Sequence, residues 1–456
     1  LWAGAPKPGL TRARESKQAF VPLCQNRVLL RNPALGQKTS VERVTDILRR
    51  YVPGGEAITA FVRDEFFADA FLEPGDEVGV ALVDEGPDPE GTPPRVRVEA
   101  ALAARRLKIP QLGIAPEGAP RGSLTMGRWY RAAKLPGVSV AVVTPGALPA
   151  DLLASERERA LDLDPVEAGA LVTLVAFDLA RFDLGYALGT EHPGLEWSPR
   201  TPERMRDERL PGPDGLASMD PLVRTGVLAP GLVGRVAATF VGGFKRYHGA
   251  FRTGPLALVN SASHYGFVEQ GVVLSRLQPG LATIVVDTHG LVDLRTWRAG
   301  DETRGLRFAR QNGVALIEPD PATGMGRPGE LVRSWAKGNW SGSAESQIRT
   351  VRAALALVEQ GGARFLVFGY FSAATPSAMA RVFQAAGARY ALQLDINALE
   401  HTYLAVYRNE GGSVRGQTLV RGMKASDRGD EKKVLPRWIG APDNRDFFYL
   451  LRKSVP

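Results

Sequence analysis

The chain has 456 residues, with 57 Lys plus Arg against 49 Asp plus Glu, a net charge of +8 and a pI near 9.6. A hydrophobic share of 44% and a charged share of 23% exclude a mainly disordered chain. The single cysteine, Cys24, excludes an internal disulfide and a cysteine-rich metal site.

Length favours two domains with a tail. Most of the positive charge is arginine, with no basic run and no aromatic-interleaved basic motif, so nucleic acid is not expected as a partner. No apolar stretch reaches the roughly 18 residues of a membrane span. The sequence begins at Leu1 rather than Met, so a signal or anchor upstream would not be visible in it.

Residues 1–38 mix Pro, Gly, Arg and Lys without a sustained period and read as a tail or extended arm. From Thr39, apolar Val41, Val44, Ile47, Leu48 and Val52 recur at helical spacing, and Thr39 with Glu42 fits a capping box. The Pro74-Gly75-Asp76 turn precedes a strand, EVGVALV, and residues 39–115 are expected to form a small α/β or α+β domain of unassigned role. Residues 116–456 form the larger domain in this reading, with its core at 231–407.

Within that domain SERERALDL (155–163) has helix composition, and ALVTLVAFD followed by RFDLGYALGT reads as a hairpin. Residues 198–230 are too long for a plain connection and are expected to be a functional loop or covering arm. The apolar run ending at Gly242-Gly243 is a strand whose glycines allow close backbone approach to a ligand, or a simple bulge. Lys245, Arg246 and His248 follow it, and His264 lies further on. Turn signals at Glu269-Gln270-Gly271, Gln278-Pro279-Gly280 and Thr288-His289-Gly290 predict an antiparallel meander. FARQNGVALIEP, carrying Arg310, Gln311 and Asn312, is a further strand; the Gly-rich linker after it holds Trp335 and Trp340.

The C-terminal part has the clearest local signals. QIRTVRAALALVEQGG, strand or helix by composition, forms a hairpin with RFLVFGY if Gly361-Gly362 is its turn. Thr375 is a helix cap, Pro376 a first helical residue and Gly387 a left-handed terminator. RYALQL is the next strand, so a right-handed parallel crossover is expected, with Asp395 and Asn397 just past a strand's carboxyl end, where open sheets bind ligands. TYLAVYRN and RDFFYLLRK are later strands, separated by a basic loop from Glu410 to Arg437. The fold class expected is therefore α+β: a large mixed, mostly antiparallel sheet with a βαβ crossover near the C-terminal end, plus the small N-terminal domain.

The order of ATFVGGFKRYHGAF (238–251), the meander with Trp297, Arg310-Gln311-Asn312, RAALAL (352–357) and LQLDIN (392–397) resembles the phosphodiester glycosidase family, over residues 165–453. Val241 stands where that family has Asn before Gly-Gly, Ala356 stands for a glycine, and the glycine-rich loop after Asp395 is absent. The resemblance implies a glycosidase-type hydrolase acting outside the cytoplasm on a sugar-1-phosphodiester or anionic glycopolymer. Arg352, at the family's arginine position, would hold phosphate, because a guanidinium is a permanently charged planar fork. Asp395 would supply the carboxylate such hydrolysis uses. Gly242, Gly243, Lys245, His264, Arg310, Gln311, Asn312 and Asn397 would line the substrate site. Glu269 and Glu400 are positional candidates for a second carboxylate.

No cofactor or metal is expected: the five histidines form no ligand spacing, and there is no Gly-x-Ser-x-Gly elbow or Walker loop. The partner expected is a carbohydrate or glycosyl phosphodiester. An alternative, motivated by Val241, is a glycan- or phosphate-binding scaffold protein that keeps the fold without turnover.

Overall fold

The computed structural model describes residues 7–38, 42–44, 69–80, 86–119, 122–198, 201–220, 222–246, 265–334, 347–411, 413–429 and 434–454. His248, His264, Trp335 and Trp340 lie outside the described residues, as does most of the helix expected from Thr39, of which 42–44 are helical.

The centre of the molecule is an eight-stranded sheet. Its order is Gly326–Pro328, Ala315–Pro319, Ala388–Ile396, Thr350–Gln360, Ala363–Ala374, Val172–Asp178, Val138–Val143, Tyr130–Arg131, and every neighbouring pair is antiparallel. Gly361 and Gly362, at φ 56° and 83°, close the hairpin between its two longest strands, because a two-residue turn that matches strand twist needs two left-handed positions. The expected crossover is present in a specific form. Ala363–Ala374 and Ala388–Ile396 run parallel to each other, with Thr350–Gln360 between them and antiparallel to both. Helix Pro376–Ala385 joins them; the Thr375 side chain accepts a hydrogen bond from the Ala378 N–H, and Gly387 takes φ 72°.

Two layers cover this sheet. On one face Phe368 packs on Phe240 of a five-stranded sheet, ring centroids 5.7 Å apart. Phe371, odd where Phe368 is even and so on the other face, packs on Phe383 of the helix at 5.6 Å. Gly369 shares the helix face: a Cβ there would sit 2.8 Å from the Phe383 ring. The covering sheet has the order Ser413–Thr418, Leu404–Glu410, Val236–Val241, Phe447–Arg452, Phe182–Ala187. The fold is thus α+β and mostly antiparallel.

Four local expectations are corrected. Val172–Asp178 and Phe182–Ala187 do not pair; they enter different sheets. Val172–Asp178 is buried along nearly its whole length, which an interior strand between two neighbours requires. The meander is interrupted: in the sheet Val272–Ser275, Phe267–Glu269, Leu306–Gln311, Ala282–Asp287, Val292–Thr296, the later strand Leu306–Gln311 inserts between two hairpins. FARQNGVALIEP makes two strands, because Gly313 at φ 70° turns the chain out of this sheet and into the large one. SERERALDL is not helical. Ser155 ends helix Ala150–Ala154, and of the charges that follow Arg159 reaches Glu318 of strand Ala315–Pro319 at 2.6 Å, while Arg157 pairs locally with Asp162 at 3.3 Å.

The N-terminal segment carries helix Lys7–Glu15 and a hairpin, Phe20–Leu23 with Val28–Arg31. The buried Asn32 side chain ties these together by donating to the carbonyls of Ala13 (2.7 Å) and Gln18 (3.2 Å). Gln37 then bridges to Asp443, and the chain arrives at Glu42.

Candidate active site

Asp395 is the penultimate residue of strand Ala388–Ile396 and is 6% exposed. One carboxylate oxygen accepts from the Ile396 N–H at 2.9 Å; the other pairs with Nη1 of Arg445. Arg445 precedes strand Phe447–Arg452 and is fixed from behind: its N–H donates to Asp443 at 2.9 Å, and Asp443 is itself gripped bidentately by the Nε and Nη2 of Arg437, at 2.8 and 3.0 Å.

The other edge of Arg445 meets Glu42. Oε1 of Glu42 accepts from Arg445 Nε at 3.1 Å and Nη2 at 2.9 Å, and lies 3.1 Å from Lys245 Nζ and 3.7 Å from His401 Nε2. The other ring nitrogen of His401 is hydrogen-bonded to the Ile396 carbonyl at 3.0 Å. Burial alone would raise the Glu42 carboxyl, but Arg445, His401 and Lys245 outweigh it and hold it far below its usual range. Burial, reinforced by Lys245 and Arg445, pushes His192 well below its usual value, so its imidazole is neutral. Among the described residues no group of three His, Cys, Asp or Glu is arranged to hold a metal ion.

The glycine turn is built by protein contacts. The Gly242 N–H donates to the Asp446 carbonyl at 2.9 Å. Gly243 has φ 138°, and a Cβ on it would lie 2.7 Å from Asn312 Oδ1. That same oxygen accepts from the Phe244 N–H at 2.9 Å, while Asn312 Nδ2 donates to the Gln393 carbonyl and, at 2.7 Å, to that of Leu394. Asn312 therefore joins the turn that carries Lys245 to the strand that carries Asp395. Replacing Asn312 with Ala leaves a buried N–H and two buried carbonyls short of a partner, at an expected cost of about 2–4 kcal/mol. Urea unfolding checks this; a loss below about 1 kcal/mol would mean the turn holds itself.

The remaining predicted residues separate into two groups. Arg310, fully buried, donates to Asp446 at 2.9 Å and to the Phe244 carbonyl at 2.6 Å. Gln311 accepts from the N–H groups of Gly266 (3.0 Å) and Gln278 (2.7 Å) and so braces another turn. Arg352, opposite Ile396 in the sheet, donates to the carbonyls of Ala374 (2.6 Å) and Ile348 (2.7 Å) and to Gln393 Oε1 (3.2 Å). These three brace strand ends and turns. Asp395 and Lys245 instead converge, through Arg445 and Glu42, on one cluster. Asn397, half-buried at φ 77° beside that cluster, donates its N–H to the Val351 carbonyl at 3.0 Å.

Val241 is fully buried in the core, and its N–H donates to the Tyr403 carbonyl at 3.2 Å. Sequence reasoning passed over Arg445 and His401 as site residues and gave Glu42 only a helix-capping role. The one local signal was the polar run Asp443-Asn444-Arg445-Asp446 directly before an apolar strand.

No family model matches the chain, and no curated protein matches it. Solved structures resemble it distantly, three of them as follows. The first is the catalytic domain of zebrafish N-acetylglucosamine-1-phosphodiester alpha-N-acetylglucosaminidase, auto-inhibited by its pro-peptide: 10% identity, TM-score 0.36, covering 71% of this chain and 86% of that one. The second is a hypothetical protein from Synechocystis: 14% identity, TM-score 0.28, 62% of this chain and 59% of that one. The third is a Burkholderia pseudomallei protein described as exported: 13% identity, TM-score 0.25, 62% and 74%. Among the described residues no helix is long and apolar enough to cross a membrane.

Proposed function

We propose that the chain is a glycosidase-type hydrolase of sugar-1-phosphodiesters or of an anionic glycopolymer, working outside the cytoplasm. Asp395 supplies the carboxylate that faces the anomeric carbon, and Arg445 with Lys245 holds the phosphate. The observation that carries this reading is the convergence of Arg445 and Lys245 on a single carboxylate oxygen of Glu42, directly beside Asp395. An oxygen so surrounded is in the environment a phosphate oxygen needs. A phosphate leaving group departs once its charge is neutralised, so the site needs fixed cations more than a strong acid. In this reading Arg352, whose donors serve carbonyls and Gln393, holds the strand ends, and Arg445 takes the phosphate.

Glu42 then occupies the phosphate position and must withdraw for substrate to enter. Glu42→Gln weakens that internal competitor, and kcat/KM is expected to rise about tenfold, the equivalent of one charge-assisted hydrogen bond. A fall in kcat/KM would instead make Glu42 part of the chemistry. The same carboxyl predicts a pH effect. Its native pKa lies below the ordinary 4.5, so its stabilisation is complete above about pH 4.5 and is lost as pH falls further. Glu42→Gln therefore flattens the acid limb of the stability profile.

The deciding assay incubates the protein with a panel of glycosyl phosphodiesters and measures released sugar. Binding of anionic glycans with no turnover of any panel member would favour the binding-protein alternative, which the buried Val241 at the family's asparagine position motivates.

A further inference from the structure

A pocket of about 150 Å³ lies at the Phe182–Ala187 edge of the five-stranded sheet that covers the large one. Tyr449, in the strand next to the edge, forms one wall with its ring over Gly185, the edge-strand residues Tyr186 and Ala187 border it, and Phe20 of the N-terminal hairpin contributes another aromatic ring. Leu222, Val227 and Leu232, from the long segment before strand Val236–Val241, add apolar surface. This volume admits something the size of one sugar ring and not a chain.

Three polar side chains on these walls have no hydrogen-bond or ion-pair partner among the described residues: the Glu269 carboxylate, the Arg224 guanidinium and the Tyr449 hydroxyl. Glu269 and Arg224 are both half-buried and yet do not pair with each other. Burial raises the Glu269 carboxyl, with Arg31 opposing, and burial pushes the Tyr449 hydroxyl up to about 12. Partly desolvated groups without a protein partner, gathered on the walls of one pocket, are poised for a ligand. Their chemistry defines it: an acceptor, a planar donor fork and a hydroxyl around aromatic rings suit a neutral ring bearing several hydroxyls and an apolar C–H face. A lone cation would meet Arg224 and Arg31, and a lone anion would meet Glu269.

We propose that this pocket is a monosaccharide-binding site separate from the Asp395 cluster, with Glu269 and Arg224 clasping neighbouring hydroxyls. The site stands whether or not the chain hydrolyses phosphodiesters. Its links to the cluster are structural: the Tyr186 hydroxyl donates to Asp446 at 2.9 Å, one residue along from Arg445, and the Gly226 carbonyl accepts from the Asp443 N–H at 2.9 Å.

The test titrates the whole protein with glucose, galactose, mannose and N-acetylglucosamine, read by ligand-observed NMR and calorimetry. Saturable millimolar binding of at least one sugar is expected, weakened about tenfold by either Glu269→Gln or Arg224→Ala and unchanged by Asp395→Asn. Thermal midpoints confirm that the variants fold, and Tyr449→Phe, which removes only a hydroxyl, supplies a gentler variant. Failure of all four sugars to bind overturns the proposal. So does binding indifferent to the Glu269 and Arg224 variants, or binding abolished by Asp395→Asn, which would put the sugar in the cluster instead.

Discussion

Asp395→Asn is expected to lower turnover of a glycosyl phosphodiester by roughly three orders of magnitude or more, the usual loss when a site's reacting carboxylate is neutralised. The stability effect should be far smaller. Asn keeps an oxygen for the Ile396 N–H, and Arg445 keeps Glu42 on its other edge, so no buried charge is stranded and about 1–2 kcal/mol is lost. Released sugar and a urea midpoint, measured on the same preparation, separate the two effects. Retained turnover would remove Asp395 from the chemistry. A loss above about 4 kcal/mol would mark the Asp395–Arg445 pair as chiefly structural.

Arg310→Met has the opposite profile, with the larger cost in folding. Arg310 and Asp446 have side chains 0% and 1% exposed, and the same Asp446 oxygen also accepts from Tyr186. Burial would lower the Arg310 pKa, but Asp446 and Tyr186 reverse that and raise it. Removing the arginine strands a buried carboxylate and frees the Phe244 carbonyl, at an expected cost of about 3–5 kcal/mol. Asp446→Asn added to Arg310→Met should restore part of the loss, because it removes the uncompensated charge. Denaturant unfolding of both variants checks this; equal stability of the single and double variants would show that the charge was not the cause.

The features legible in the sequence are those whose cause is local. Gly361-Gly362 announces a tight hairpin because few other pairs tolerate two positive φ angles, and Thr375, Pro376 and Gly387 mark a helix by the same kind of backbone constraint. The strand ending near Asp395 follows from composition. Sheet order did not follow, because nothing in Phe182–Ala187 says that it pairs with a strand more than 260 residues further along. The destination of an arginine was equally hidden. A guanidinium suits a carbonyl as well as a phosphate, so Arg352 and Arg445 are chemically alike in the sequence and differ only in what the fold sets before them. Glu42 and Arg445 are 403 residues apart, a pairing that no spacing rule reaches.

The two borders of the large sheet are small for its size. Eight strands end on one side in Tyr130–Arg131, two residues long, and on the other in Gly326–Pro328, three residues long with a proline. A border so short offers hardly any free backbone donors and acceptors, and Pro328 has no N–H to give, so another chain finds no template to extend. The most apolar part of the molecule is thereby protected against edge-to-edge aggregation.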